Sequence, residues 1–493
     1  MGFSTFDSII VVVYLIGMAL LGVVSGGRQT STRDYFLGSK NIPWWAVCFA
    51  IVATETSTLT FISIPGLAYA TNLNFLQVTF GYLLGRIAIS AILLPSYAKG
   101  ELVTAYQVLG KRFGSTMRNV ASVTFMGTRV LADGVRLYAT AIPLAILLKG
   151  WNAFPEMPAG QIYLISISVM AGITLMYTLV GGVRAVIWTD VVQMFIYLAG
   201  AVGAAVVIIN NMHLDILDAL PSDKLSIFSF GTGAGWGDFF KAPYTLVASV
   251  IGGAFLSMAS HGTDQIIVQR LLTVKTLKGS QRALIVSGVL VIFQFALFLF
   301  IGLLLFSYYN GSSLADLHLT KVDEIFPKFI IESMPSGLSG IIIAGLMAAA
   351  MSTLSGSINS LASATMHDIY KPYFGASHSE QTTLLLSRLF SAIWCVLLVG
   401  VALFFVAGTS QTLVELALSI ASITYGGMLG TFLLGVVFKN VRQQDALAGF
   451  AAGIIVMVYV FTQTTVAWTW YTFIGTCATL MVGNISAALG KSA

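Results

Sequence analysis

A helix needs about 20 apolar residues to cross the hydrocarbon core of a bilayer, and apolar runs of that length recur from one end of this sequence to the other. A lead span covers 8–24. Twelve more follow, numbered 1–12 in chain order, at 44–70, 75–97, 120–148, 161–180, 186–209, 244–260, 284–308, 337–364, 383–406, 413–438, 446–461 and 468–489. Thirteen such spans describe an all-α polytopic membrane protein. The chain is 57% hydrophobic and 9% charged, whereas a soluble chain carries about 25% charged residues. The charge that is missing is the charge that would face water. No soluble domain is inserted, so residues 1–493 read as a single membrane domain. The longest polar connections, 210–243 and 310–336, each have room for a short surface helix.

The net charge is +5, but the basic residues form no block of the kind that nucleic acid requires. They fall in short loops between apolar runs. Of the 25 Lys and Arg, 17 lie in alternate loops starting after the lead span, counting Arg388 at the adjoining start of span 9, and 5 in the opposite set; Arg86, Arg129 and Arg136 lie deeper within spans. Because cytoplasmic loops carry the excess of basic residues, this asymmetry places the C-terminus in the cytoplasm and the N-terminus outside the plasma (inner) membrane. The alternation also fits thirteen spans. The first apolar run starts at Ile9 behind Asp7, with no basic residue ahead of it; a secretory signal has the reverse pattern, so the run is expected to be a retained span. Cys48, Cys395 and Cys477 sit inside apolar runs without C-x-x-C spacing, which implies neither a disulfide framework nor a metal cluster. Nothing in the loops marks an obligate protein partner; the lipid bilayer is the expected surrounding.

An ionisable residue inside a span is costly and marks function by default. Glu55, Arg86, Arg129, Asp133, Arg136, Asp190, Asp264 and Glu415 qualify, with Arg86, Asp264 and Glu415 near enough to span ends to be expected to reach water. Span 1 is the most informative. It reads Thr54-Glu55-Thr56-Ser57-Thr58-Leu59-Thr60 in mid-membrane, then Pro65-Gly66. Hydroxyls that bond back to the preceding turn bend helices, and an interrupted helix frees carbonyls. Carbonyls and hydroxyls together are hard oxygen ligands for an alkali cation, and broken helices at the midplane are where transporters bind ions and solutes. The other reading is a packing seam, since Ser and Thr also suit close helix contact. Span 8 holds a second cluster, in which Ser352, Ser355 and Asn359 share one face with Ala349 and Thr353 beside it. On span 3, Arg129 and Asp133 are four residues apart and are expected to pair, either as structure or as a contact to solute. Asp190 on span 5 is placed to hold a second cation or to cap the helix. A G-x-x-x-x-G-K-[ST] loop, a T-V-G-Y-G filter and an H-E-x-x-H pair are all lacking from the sequence, so it offers no usual nucleotide, potassium-channel or zinc-hydrolase chemistry. No enzyme activity is expected.

Residues 53–65, the run Gly181-Gly182-Val183-Arg184-Ala185-Val186-Ile187-Trp188-Thr189-Asp190, the stretch 345–370 ending His367-Asp368-Ile369-Tyr370, and Asp264-Gln265-Ile266-Ile267-Val268-Gln269-Arg270 together resemble the sodium/solute symporter family. Its members include sodium-coupled transporters of sugars, sialic acid, proline, iodide and vitamins. The resemblance implies a leucine-transporter-like fold. Spans 1–5 (44–209) and 6–10 (244–438) would form two inverted five-helix repeats, with the lead span and the two C-terminal spans (446–489) outside them. It implies a sodium site between spans 1 and 8, built from the backbone carbonyls of Ala53, Thr56 and Ala349 and the hydroxyls of Ser352 and Thr353. Some members hold a second sodium at positions matching Asp190 and Ser355, but Gly356 stands where those members have serine. For the solute, the resemblance points to Glu55, Ser57, Thr58, Thr60, Phe75, Thr79 and Arg129, with Tyr138 and Tyr425 as further walls. Members that take galactose have asparagine at the position of Glu55, sialic-acid members threonine, and proline-type members aspartate. A carboxylate there repels an anionic solute unless a cation such as Arg129 offsets it; it suits sugar hydroxyls, an amine, or a place near the sodium. The implied function is sodium-coupled import of a small polar organic solute, such as a sugar, sialic acid or an amino-acid-like molecule, by alternating access. Proton coupling through Glu55 is the alternative within transport, and a non-transporting membrane sensor is the alternative outside it.

Overall fold

The computed structural model describes residues 4–490 except 101, 151, 153–155, 213–219, 232–234, 376 and 406–412. Among these residues the only regular secondary structure is helix. Among the described residues, eight helices are long and apolar enough to cross a membrane, and up to ten if each sharply bent pair is one span.

Local chemistry explains where the helices break. Span 1 divides into Trp44–Glu55 and Thr58–Ala70, with Thr56 and Ser57 extended between them. The Thr54 and Thr56 hydroxyls turn back onto the carbonyls of Ala50 (2.7 Å) and Val52 (2.9 Å), which competes with the helix at its end. Span 6 breaks as well. Leu246–Gly262 and Gln265–Leu272 meet at 60°. Thr263 Oγ1 donates to Ala259 O (2.8 Å), and Asp264 Oδ1 accepts from the Ile266 amide (3.0 Å), capping the second piece. The apolar pattern predicts an end to span 6 at 260 and a loop beyond it; instead, Gln265–Leu271 is a buried helical continuation.

Spans 4 and 5 run together as Ala159–Asn211. At 1.5 Å per residue that run is about 80 Å long, more than twice the hydrocarbon thickness, so it has to fold back. It does so at Gly182, whose φ is 57°. A side chain there would be strained and would strike the Tyr35 carbonyl.

Span 8 (Leu338–Ala364) is the centre of the molecule, with nearly every residue buried. Its Gly, Ala and Ser content lets neighbouring helices approach closely; Gly345, for example, lies against Tyr197 of span 5. A six-residue π-helical turn, Thr365–Tyr370, ends it. The start of span 8 is held by the lead helix, Thr5–Gly26. Asp7 Oδ1 accepts from the amides of Gly337 and Gly340, both at 2.8 Å. These amides lie at a helix start, where no partner exists within the helix. Asp7 is fully buried and also bonds Ser4.

Span 9 (Glu380–Phe405), span 11 (Gln443–Gln463) and one face of the lead helix leave apolar side chains uncovered, among them Val13, Leu385, Val396 and Ile455. Lipid is the medium in which such faces cost nothing. Of the two long connections, one holds the short helix Trp236–Phe239. The other holds the short helix Ile325–Ser333, which buries one face, with Phe326 against Phe61 of span 1 at 5.5 Å between ring centroids, and leaves Lys328 and Glu332 paired on the other.

Candidate functional site

The break in span 1 exposes oxygen. The helical ladder stops where Thr56 N–H donates to Val52 O (3.1 Å) and resumes where Phe61 N–H donates to Ser57 O (3.2 Å). The carbonyls of Ala53, Thr54, Glu55 and Thr56 therefore lie outside it. The break sits against span 8, since Thr58 Oγ1 donates to Leu346 O (3.0 Å). On span 8, Thr353 Oγ1 donates to Ala349 O (3.2 Å) and Ser352 Oγ donates to Asp190 Oδ1 of span 5 (2.7 Å). A hydroxyl that gives its proton to a carboxylate keeps its lone pairs for a cation.

Asp190 is fully buried and already paired. Arg270, on the second piece of span 6, reaches its Oδ2 through Nη2 (2.9 Å) and Nε (3.3 Å). Gly356 makes room for that guanidinium, because a Cβ at this position would lie 2.8 Å from Arg270 Nη2. Ser355 Oγ donates to Ser352 O (3.0 Å) rather than to Asp190.

Beside this oxygen cluster lies a cavity of ≈ 130 Å³ enclosed by both broken helices and spans 2, 3, 7, 8 and 10. Of the residues expected from sequence, Glu55, Ser57, Thr60, Phe75, Arg129 and Tyr425 line it, as does Thr353. Thr58 and Thr79 do not line it; the first is tied to span 8 as described, and Thr79 Oγ1 donates to Leu76 O (2.7 Å). Tyr138 packs on Tyr163 instead (6.2 Å). The Glu415 side chain lies outside the described residues.

Charge in the cavity is paired wall by wall. Glu55 Oε2 is bonded by Arg86, whose Nη1 donates to Ser287 Oγ of span 7 (2.7 Å). His261 Nε2 lies 3.6 Å from the same carboxylate oxygen. On the span 3 side, Arg129 bonds Asp264 and the Tyr425 hydroxyl, and pairs with Asp133 at 3.2 Å. Asp133 also takes Ser357 of span 8 and Arg136 (3.2 Å). Arg129 is thus committed to protein partners. Arg136 has one shared carboxylate and keeps 22% of its side chain open where it lines the cavity. The expected Arg129–Asp133 pair is present. The expectation that Arg86 and Asp264 reach water is corrected: Arg86 is fully buried and Asp264 is 2% exposed. Both are held inside by opposite charge, Asp264 in the cavity wall and Arg86 behind Glu55.

Sequence reasoning missed Tyr82, His261 and Phe295 as cavity residues. The signal for His261 lies in His261-Gly262-Thr263-Asp264, a polar stretch behind an apolar run, much like the one in span 1. Taking that stretch as a span end conceals it.

A family model described as the sodium:solute symporter family matches residues 35–453. A sodium/sialic acid symporter of Aliivibrio fischeri is 29% identical over 99% of this chain and 94% of its own length. Human sodium-coupled monocarboxylate transporter 1 is 26% identical over 93% of this chain and 73% of its own. Among solved structures, a substrate-bound, outward-open Na⁺-coupled sialic acid symporter superposes with a TM-score of 0.86 at 27% identity, covering 99% of this chain and 98% of that one.

Proposed function

The chain belongs to the sodium:solute symporter family, and we propose that it imports a small carboxylated organic solute together with sodium by alternating access. It is a transporter and not an enzyme. One observation carries the reading: Thr353 lines the solute cavity while standing one residue from Ser352 and four from Ala349, on the face of span 8 that meets the opened carbonyls of span 1. A cation at this seam and a solute in the cavity share a wall, so each completes the other's surroundings.

Sodium is held by the carbonyls of Ala53, Thr56 and Ala349 and the hydroxyls of Ser352 and Thr353. Its arrival stabilises the arrangement in which span 1 stays against span 8. The solute enters beside it with its carboxylate toward Arg136. Ser57 and Thr60 offer hydroxyls, and Phe75 an apolar wall. The acid class is supported by Arg136, the cavity guanidinium with spare capacity, and agrees with relatives that carry sialic acid and monocarboxylates. Glu55 does not oppose an anion, because Arg86 neutralises it. Protonating Glu55 would strand a buried guanidinium, which favours sodium over proton coupling.

One sodium moves per solute. The Arg270 guanidinium beside Asp190 already supplies the positive charge that a second sodium would bring, so Asp190 and Ser355 act as structural partners. Thirteen spans, two inverted repeats (spans 1–5 and 6–10), an external N-terminus and a cytoplasmic C-terminus complete the reading. The paired breaks in spans 1 and 6, the first helices of the two repeats, support it.

The test is uptake of sialic acid and of short monocarboxylates into proteoliposomes under an inward sodium gradient, with potassium as control. Uptake that saturates and requires sodium upholds the reading. Uptake that follows a pH gradient and ignores sodium overturns it in favour of proton coupling.

A further inference from the structure

We infer that the solute bears a hydrogen-bond donor, such as a hydroxyl, amine or amide N–H, in addition to its carboxylate, and that Glu55 reads this donor through Oε1. The inference rests on the reading of the cavity as a solute site for acids and narrows the class of acid it takes.

Glu55 is an acceptor-only group. Its Oε2 is taken by Arg86, with His261 behind it at 3.6 Å. Its Oε1 makes no hydrogen bond among the described residues, and the side chain keeps 16% of its surface open where it lines the cavity. The cavity wall mixes hydroxyls such as Ser57 and Thr60 with apolar side chains, among them Leu256, Ile267 and the stacked pair Phe75 and Phe295, ring centroids 5.3 Å apart. A charged oxygen in such a setting needs a donor; once water is displaced, a ligand without one leaves it stripped. Arg86 is fully buried and braced by Ser287, so the pair is close to neutral as seen by an approaching anion. An acceptor that does not repel anions, in the same cavity as the half-open guanidinium of Arg136, matches an acid carrying its own donor. It does not match a bare fatty acid.

The experiment is competition for sodium-driven uptake by matched pairs: lactate against propionate, and 3-hydroxybutyrate against butyrate, with sialic acid as reference. The donor-bearing member of each pair is expected to compete about 10- to 100-fold better, the range for a hydrogen bond to a charged group. Replacing the whole ion pair, Glu55→Leu with Arg86→Leu, avoids a stranded charge and should bring the ratio near one. Glu55→Gln with Arg86→Met keeps a neutral acceptor and should retain a ratio of about 3- to 10-fold. Equal competition by both members in the parent protein overturns the inference and leaves the sodium-coupled acid reading intact. A ratio that survives the Leu–Leu replacement overturns it too, by showing that another group reads the donor. Absence of any sodium-driven acid uptake sinks the broader reading and this one with it. If neither variant folds, the parent panel alone decides.

Discussion

At the scale of single residues, two arginines on one helix, seven positions apart, have opposite roles. Arg129 holds Asp264, Asp133 and Tyr425 together. Removing one partner of a buried charged set costs about 3–5 kcal/mol, so Arg129→Met is expected to lower the melting temperature of the purified protein sharply. Arg136 is partly open, and Arg136→Met should leave melting nearly unchanged while raising the solute concentration for half-maximal uptake at least about tenfold, the loss of a charged hydrogen bond. A large fall in melting for Arg136→Met, with no change in solute affinity, would refute the assignment. The hydroxyls of span 8 give a third residue-level expectation. Ser352→Ala and Thr353→Val should each raise the sodium requirement by about tenfold in a folded protein, read by thermal shift in sodium against potassium. The sequence made these hydroxyls legible because a polar cluster in an apolar run is conspicuous. It could not show which arginine was spare, because that depends on Asp264 arriving from span 6, 135 residues away from Arg129.

At the scale of elements, the break in span 1 was legible and the break in span 6 was not, for a physical reason. Span 1 carries six oxygen-bearing side chains between Thr54 and Thr60, so its hydroxyls announce competition with the helix. Span 6 breaks on a single capping Asp and one back-bonded Thr, and those two residues look the same at a helix end in water. The span 1 break is braced from span 7 as well. Gln294 Nε2 bonds Thr56 Oγ1, and its Oε1 accepts from the Tyr197 hydroxyl of span 5 (3.3 Å). Gln294→Leu should loosen the turn that presents the Thr56 carbonyl. The expected result is a several-fold rise in half-saturating sodium with solute preference unchanged. A shift in solute preference at constant sodium affinity would contradict that role.

At the scale of the whole molecule, the pairing of Asp190 with Arg270 is the basis for the proposed one-to-one cycle, which has an electrical consequence. One sodium with one monovalent acid moves no net charge, so uptake should respond to the sodium gradient and be indifferent to an imposed membrane potential, which acts only on net charge at about 2.3 kcal/mol per 100 mV. A sodium-to-solute flux ratio near one, measured with paired tracers, is expected. Uptake that accelerates with an inside-negative potential would require a second cation and would count against a guanidinium standing in its place. The overall layout, a helical membrane protein, followed from apolar run length, whereas the deep burial of span 8 came from the structure. The fold-back at Gly182 hides the boundary between spans 4 and 5 from helix geometry alone.

The lead helix also bears on how the chain is made. Its Asp7 caps amides 330 and 333 residues downstream, and a ribosome adds roughly 5–20 residues per second. The first helix therefore leaves the ribosome on the order of 20–70 s before its partner exists. During that interval Asp7 has only its local bonds to Ser4 and the headgroup water to satisfy it. The contact that caps the start of span 8 can therefore form only after more than 300 further residues have been made.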